Sequence, residues 1–569
     1  MNTKPWLKHY DEGVPHSLQP YPQKTLLDIV KETTSLRPNH PALLFKGAVM
    51  SYADMEQLSN DLANALIKIG VKKTDRVALV LPNTPQLVLG LLGTWKAGGI
   101  AVPVNALYTE HELGIAFQEC GAETVVVMTR YYSKVKTAQA GTNVRNVIAT
   151  NIKEYLPPAL RILFTLLKEK KEGDRINLQP GDDWLADLLH KNAGSSRADI
   201  TVQPDDSAIM LFSGGTTGTP KIAVGTHHAL LMSGMQIHAW FANTLNEWND
   251  IIMLNMPLFH VYGMAGVFPT GLVGHTPLAV VPNPRDMDDM LATIQKIKPA
   301  FLPGVPTLFN ALLNHPKVQA GKVSLKSLKL NISGAAPLLE ETKKRYEKAT
   351  GGRIVEGFGM TESMMATITT PTQGLYKPGA VGIPVPDVEL RVVDAEHGEK
   401  DLPAGEVGEF ILRAPQLMKE YWNKPTETAN TIRDGWLYTG DLGYLDEDGY
   451  MFIVDRKKDV IKPSGFQVWP REVEEVLATH PAVAEVSVAG IPDAFQSEAV
   501  KAWVVLRAGQ TTCVEELRDF CRQKLTSYKV PKQIQFMESL PKSLIGKTLR
   551  RELVAREKAG SINAKVPEI

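Results

Sequence analysis

Nine residues, Ser213-Gly214-Gly215-Thr216-Thr217-Gly218-Thr219-Pro220-Lys221, carry the densest chemistry in the chain. Three glycines let a backbone turn sharply and approach a ligand closely, four hydroxyls can donate hydrogen bonds, and Lys221 adds a positive charge. Donors of that kind converging on one point suit a polyphosphate. The loop is not a Walker A motif, which requires Gly-Lys-Ser/Thr opening a helix. Here Pro220 separates Gly218 from Lys221, and Ile222 follows the lysine. On composition alone a solvated surface turn remains open.

Other segments add groups of the same kind. Met256-Pro257-Leu258-Phe259-His260-Val261-Tyr262-Gly263 sets a histidine among aromatics, as a catalyst or a satisfied core residue. Ser333-Gly334-Ala335-Ala336 has side chains small enough for a flat ring to approach the backbone, or is simply a strand-to-helix turn. Gly357-Phe358-Gly359-Met360-Thr361-Glu362 joins an aromatic plane to a hydroxyl and a carboxylate, an oxygen ligand of the type that hard Mg²⁺ prefers. Tyr438-Thr439-Gly440-Asp441 ends in a carboxylate able to accept from two ribose hydroxyls. Asp455-Arg456-Lys457-Lys458-Asp459 reads as an exposed charged joint, and Ser543-Leu544-Ile545-Gly546-Lys547 places a lysine on a glycine-hinged loop.

The elements that must position these groups follow from hydrophobic patterning. A chain of 569 residues is too long for one core. The apolar runs Arg76–Leu81, Ile100–Val104, Val125–Met128, Ala208–Phe212 and Leu328–Ile332 read as buried strands. They alternate with helical stretches such as Pro85–Ala97, the rhythm of mainly parallel α/β layers. From about Val381 short strands and Gly-Asp turns predict a small β-rich subdomain. From Arg471 a compact α+β tail follows, with strands Ala484–Ala489 and Val500–Leu506 and a helix Val514–Leu525. The expected fold is therefore α/β: a large N-terminal domain (1–454) of layered α/β subdomains with a β-rich subdomain, then a small α+β C-terminal domain (455–569) beyond the charged joint.

Lys+Arg and Asp+Glu are both 62, so no global charge points to nucleic acid. Three scattered cysteines offer no metal spacing and no disulfide framework, which fits a reducing cytosol. The N-terminal stretch has no apolar signal-peptide core, and no run reaches the roughly 18 apolar residues of a membrane span. Leu156–Leu167, apolar and followed by Lys168, Lys170 and Lys171, reads either as a packed helix or hairpin with a charged end or as a segment lying on a membrane surface.

Taken in order, the motifs resemble the adenylate-forming superfamily of acyl- and aryl-CoA ligases, nonribosomal adenylation domains and firefly luciferase. The resemblance spans essentially the whole chain. Within it the chain is most similar to bacterial long-chain-fatty-acid–CoA ligases, through Leu107–Leu113, Asn283–Asp286, Pro306–Leu313 and Tyr528–Lys532. The resemblance implies a cytoplasmic enzyme that takes a fatty acid, ATP and coenzyme A, uses Mg²⁺, and proceeds through an acyl-adenylate. It leaves a homodimer and contact with the inner face of the membrane open.

By the same resemblance, Gly214, Gly215, Thr216, Thr217, Gly218 and Lys221 cradle the phosphates. Ser213 and Glu362 bind Mg²⁺, and Thr361 meets the α-phosphate. Gly334, Ala335, Ala336 and Phe358 frame adenine, while Asp441 and Arg456 hold the ribose. Lys547 bridges the substrate carboxylate and the α-phosphate, His260 sits at the pantetheine channel, and Gly465 lies on the face presented to coenzyme A. The resemblance alone implies that the small C-terminal domain is mobile and hinged at Asp455. Three departures stand out: Phe358 where tyrosine is usual, Ile222 where glycine is usual, and Lys462-Pro463 in place of an apolar pair. Rival expectations are a medium-chain or aryl acid ligase, and a non-catalytic fatty-acid-binding or transport protein.

Overall fold

The computed structural model describes residues 4–213, 220–336, 338–457, 459–463, 468–493, 497–542 and 548–558. Two large sheets form the frame. The first has eight strands; its parallel centre comprises Arg76–Val80, Ile100–Pro103, Thr124–Met128 and β1 (Ser207–Ser213). At one edge β2 (Lys221–Thr226) runs antiparallel to β1, and Glu420–Tyr421 runs antiparallel to β2. The second sheet has nine strands, including β3 (Leu330–Gly334) and β4 (Arg353–Phe358), which are parallel with Gly334 opposite Gly357.

Strand alternation explains the layering. In Arg76–Val80, Val77 and Leu79 join the core between the two sheets, while Ala78 and Val80 join the core under helices Glu110–Cys120 and Tyr132–Gln139. In the second sheet Leu254 and Ile332 face the shared core, and Met253 and Leu302 face helices Met287–Ile297 and Pro306–Asn314. Helices Tyr52–Lys68, Pro85–Lys96 and His227–Phe241 fill the space between. The result is five alternating layers, and both faces of these strands are buried, which is why they read as unbroken apolar runs.

The β-rich subdomain is a five-stranded antiparallel sheet that includes β5 (Trp436–Leu445) and β6 (Met451–Arg456). After it comes a three-stranded sheet, Val483–Asp493, Ser497–Leu506 and Gln533–Phe536, with its own core around Val473, Leu477, Val488 and Leu517. Cys120 and Cys521 are buried, Cys513 is exposed, and none forms a disulfide. Two helix starts account for stretches quoted above. Thr109 and Glu112 form a reciprocal capping box, and Asp286 caps Met287–Ile297 through Asp289 N–H at 3.0 Å.

Candidate active site

The strands on either side of the glycine/threonine segment pair antiparallel. Ser213 on β1 pairs with Lys221 on β2, so both ends of the loop are fixed while Gly214, Gly215, Thr216, Thr217 and Gly218 lie outside the described residues. The chain leaves the loop as a strand, not a helix, in keeping with the exclusion of a Walker A site.

Next to those strands sits a residue that sequence reasoning missed. Tyr421, 4% exposed, pairs with Ala223 of β2 and donates its phenol hydrogen to Glu362 Oε1 at 2.7 Å. The Ser213 and Thr431 side chains lie near the same phenol and lower its pKa against the effect of burial. Lys221 Nζ lies 4.9 Å over the ring, a cation–π contact. Burial and the Glu362 charge push the phenol well above its ordinary pKa, so it stays a donor. Met418 N–H donates to the Glu362 carbonyl at 2.9 Å. Ser213, Lys221 and Glu362, from three separate segments, thus meet at one aromatic ring.

A second cluster lies at the ends of β3 and β4. Ala335 follows β3 at φ 66°, a left-handed conformation that costs a non-glycine residue roughly 1–3 kcal/mol. Gly334 has Tyr262 close beside it: a Cβ there would come to 3.3 Å of the ring. Tyr262 itself is buried and donates to Ile332 O at 2.9 Å. Phe358, half-buried, ends β4. Thr361 and Glu362 follow on a turn closed by Met364 N–H to Thr361 O at 3.1 Å. Met364 and Met365 are both left-handed, at φ 44° and 64°. His260 is partly exposed just before a turn of π-helix, Tyr262–Val267, and its Nδ1 accepts from Tyr262 N–H at 3.2 Å. Such turns recur at functional sites.

An apolar cavity with about 20 Å³ of free space opens behind this cluster, lined by Trp240, Phe241, Tyr262, Gly266, Phe301 and Met365 among others. Ligand sites usually need ~300 Å³ or more, so an occupant must displace side chains. Met365, flexible and three residues from Glu362, borders it.

Asp441 and Arg456 form a third unit. They face each other across β5 and β6, with Nε and Oδ1 2.8 Å apart; Asp441 is almost wholly buried and Arg456 half-exposed. Asp455, one residue earlier on β6, is also buried, and its carboxylate points into the C-terminal sheet region. It accepts from Arg471 N–H at 2.8 Å, at the start of the helix Pro470–Ala478, and from Arg550 at 3.3 Å. Arg471 in turn acts on Glu356 of β4. Burial pushes that carboxyl up to about 7, against the lowering effects of the Leu338 N–H and of Arg471.

Lys547 and Gly465 lie outside the described residues, but both loops have fixed bases. Lys542 bridges to Thr548, and Ile461 to Val468. Ala336 directly follows the left-handed Ala335.

The carboxylate of Glu362, held by the Tyr421 phenol, and the hydroxyl of Ser213 near the same phenol are hard oxygen donors whose chemistry fits Mg²⁺. Among the described residues no cluster of three or more His, Cys, Asp or Glu could hold a metal alone.

Residues 30–422 match the family model "AMP-binding enzyme", and residues 472–547 match "AMP-binding enzyme C-terminal domain". The chain belongs to the AMP-binding enzyme family. Among curated members, it is 38% identical over 557 residues to a long-chain-fatty-acid–CoA ligase of Bacillus subtilis, covering 98% of each chain. It is 36% identical to one from Escherichia coli O157:H7, covering 97% of this chain and 98% of that one. Among solved members, the anthranilate CoA ligase AuaEII with anthranoyl-AMP aligns at TM-score 0.81 and 26% identity, covering 95% of this chain and 99% of that one. ATP-bound MatB from Rhodopseudomonas palustris aligns at 0.80 and 27% identity, covering 94% and 100%; the apo form of the same protein aligns at 0.70.

Proposed function

We propose that this protein joins a fatty acid to coenzyme A at the expense of ATP, through an acyl-adenylate, releasing pyrophosphate and AMP. The observation that carries the reading is the juxtaposition at Gly359–Met365. On one side Met365 borders an apolar cavity; on the other Glu362 joins Ser213 and Lys221 on Tyr421. An acyl chain in the cavity would bring its carboxylate to the segment that carries Thr361, beside the paired strands that flank the glycine/threonine segment.

In this reading the glycine/threonine loop and Lys221 hold the β- and γ-phosphates, and Thr361 orients the α-phosphate. Gly334 to Ala336 and Phe358 frame adenine, and Asp441 with Arg456 holds the ribose. Ser213 and Glu362 hold Mg²⁺, which when bound neutralises phosphate charge. Lys547 stabilises charge as the carboxylate attacks the α-phosphorus. The chemistry is mainly positioning and electrostatic stabilisation. The C-terminal domain then turns about Asp455, withdraws Lys547 and presents the Gly465 face to coenzyme A, with His260 at the channel mouth. The better alignment to ATP-bound than to apo MatB supports an arrangement suited to the adenylation step.

A medium-chain or aryl acid is the second reading, supported by the narrow cavity and the anthranilate ligase relative. Acid-dependent exchange of pyrophosphate into ATP, run from butyrate to octadecanoate with benzoate alongside, separates them. Long-chain acids are expected to give the highest kcat/KM. Exchange only with aryl acids selects the second reading, and no exchange with any acid refutes the ligase.

A further inference from the structure

The helix α1 (Pro158–Leu167) has its apolar face turned outward. Ile162, Leu166 and Leu167 are 63, 75 and 65% exposed, and Leu160 and Leu163 are exposed as well. At 100° per residue these five side chains share an arc of about 160°. The remaining arc is partly polar and lightly covered: Arg161, itself exposed, donates to the carbonyls of Glu154 and Lys153 at 2.7 and 3.2 Å, Phe164 and Thr165 are half-buried, and no residue of the helix is fully buried. A surface helix ordinarily has the opposite arrangement. The helix is ten residues long, too short to cross a bilayer.

The charges around it are sorted by sign. Lys168, Lys170, Lys171 and Arg175 are exposed. The acids of the same stretch face inward: Glu169 pairs with Lys153 at 2.5 Å, Asp174 accepts from Thr129 at 2.8 Å and Arg130 at 2.9 Å, and Glu154 accepts from Thr150 at 2.6 Å. Glu172 pairs with Arg130 and only loosely, at 3.9 Å, with Lys168. What faces solvent is a leucine ridge with a basic fringe. The apolar surface continues at the foot of the helix. Pro157 abuts Gly47, and a groove of about 320 Å³ runs past exposed Val49 between Phe45, Met50 and Tyr155.

We propose that α1 is the docking surface of this protein for an anionic phospholipid bilayer. It lies in the headgroup plane with Leu160, Ile162, Leu163, Leu166 and Leu167 in the acyl boundary and the lysines among the phosphates. A bilayer meets both features at one depth. A second copy packed on the same ridge around a two-fold axis would set the basic fringes against each other. The proposal stands apart from the catalytic reading, since vesicle binding needs no substrate.

The test is flotation of the full-length protein with vesicles of phosphatidylcholine, alone or with about one-third phosphatidylglycerol. The wild type is expected to float with the anionic vesicles and to be released by high salt. Leu163→Glu with Leu166→Glu should lower partitioning roughly a hundredfold. Lys168→Gln, Lys170→Gln and Lys171→Gln together should lower it by a similar factor on anionic vesicles only. All these side chains are exposed, and each variant should keep wild-type ATP–pyrophosphate exchange with a water-soluble acid. Wild type that stays unbound, or a double glutamate variant that floats as well as wild type, overturns the proposal. So does a wild-type dimer that the glutamates convert to monomer with no vesicle binding by either, which would assign the ridge to a second copy.

Discussion

Replacing Tyr421 with phenylalanine removes one hydrogen-bond donor from the point where Ser213, Lys221 and Glu362 meet. The bond lost is an O–H donated to a carboxylate at 2.7 Å, largely buried. Bonds to charged groups are worth about 1.5–3 kcal/mol, and water reaching the half-exposed Glu362 recovers part of that. A net loss of ~1.5 kcal/mol corresponds to about tenfold in kcat/KM for ATP in pyrophosphate exchange. The ring remains, so the Lys221 contact at 4.9 Å survives. Tyr421→Leu removes it too and should lose a further two- to fivefold. Because the phenol orients a proposed metal ligand, the Mg²⁺ concentration for half-maximal exchange should rise in Tyr421→Phe by about the same tenfold. A cycle with Glu362→Gln should show at least ~1 kcal/mol of coupling. Thioester formation from preformed acyl-adenylate should be unchanged. A variant within twofold of wild type in exchange, with unaltered Mg²⁺ dependence, refutes the positioning role. Equal losses in both half-reactions would show that the substitution acts through the fold.

Four further outcomes are expected. Lys547→Ala should abolish exchange yet leave thioester formation from acyl-adenylate intact; parallel loss of both steps would remove Lys547 from adenylation. Asp441→Asn breaks a buried pair with Arg456 and should lower kcat/KM for ATP about thirtyfold, or ~2 kcal/mol, read as a rise in KM; an unchanged KM contradicts ribose binding. Glu356 keeps its proton in the fold up to about pH 7, whereas the unfolded chain releases it near the ordinary glutamate value. Its stabilising contribution is therefore full below about pH 4.5 and lost as pH rises through 7. Glu356→Gln should flatten the fall in melting temperature over that window and gain roughly 2 kcal/mol at pH 8, and identical pH slopes would refute the assignment. Gly266→Val puts a Cβ 3.3 Å from Met365 Cγ at the cavity wall, so exchange with hexadecanoate should fall at least about tenfold more than with hexanoate; equal effects would place the acyl chain elsewhere.

Much of the fold was legible because both faces of its central strands are buried. Arg76–Val80, Thr124–Met128 and β1 are apolar along their length, and the helix Pro85–Lys96 that follows the first of them stops before Gly98-Gly99. The helix expected over Val514–Leu525 ends at Arg522, and a separate 3₁₀ turn follows at Ser527–Lys529. The family-like stretches at Leu107–Leu113 and Asn283–Asp286 prove to be capped helix starts, a local signal that carries no chemistry. Tyr421 escaped notice because its strand is two residues long and is held only by β2, nearly two hundred residues earlier in the chain. Glu356 escaped because nothing in Val355-Glu356-Gly357 says that the carboxyl is covered.

The sequence by itself determined the inventory of chemical groups and their order along the chain, since glycine, hydroxyl, carboxylate and lysine contents need no fold to be read. It also determined the strands and capped helices, which rest on neighbours within a few residues. Only the tertiary structure decided which groups meet. Ser213, Lys221 and Glu362 converge because β2 is sandwiched between β1 and Glu420–Tyr421, and Asp441 finds Arg456 because β5 and β6 pair in that register. It also decided the exposure of the apolar side chains in Leu156–Leu167. Periodicity shows that a helix has an apolar face, but only the surrounding chain decides whether that face is covered, and here Arg161 is tied to the body while the leucines face out.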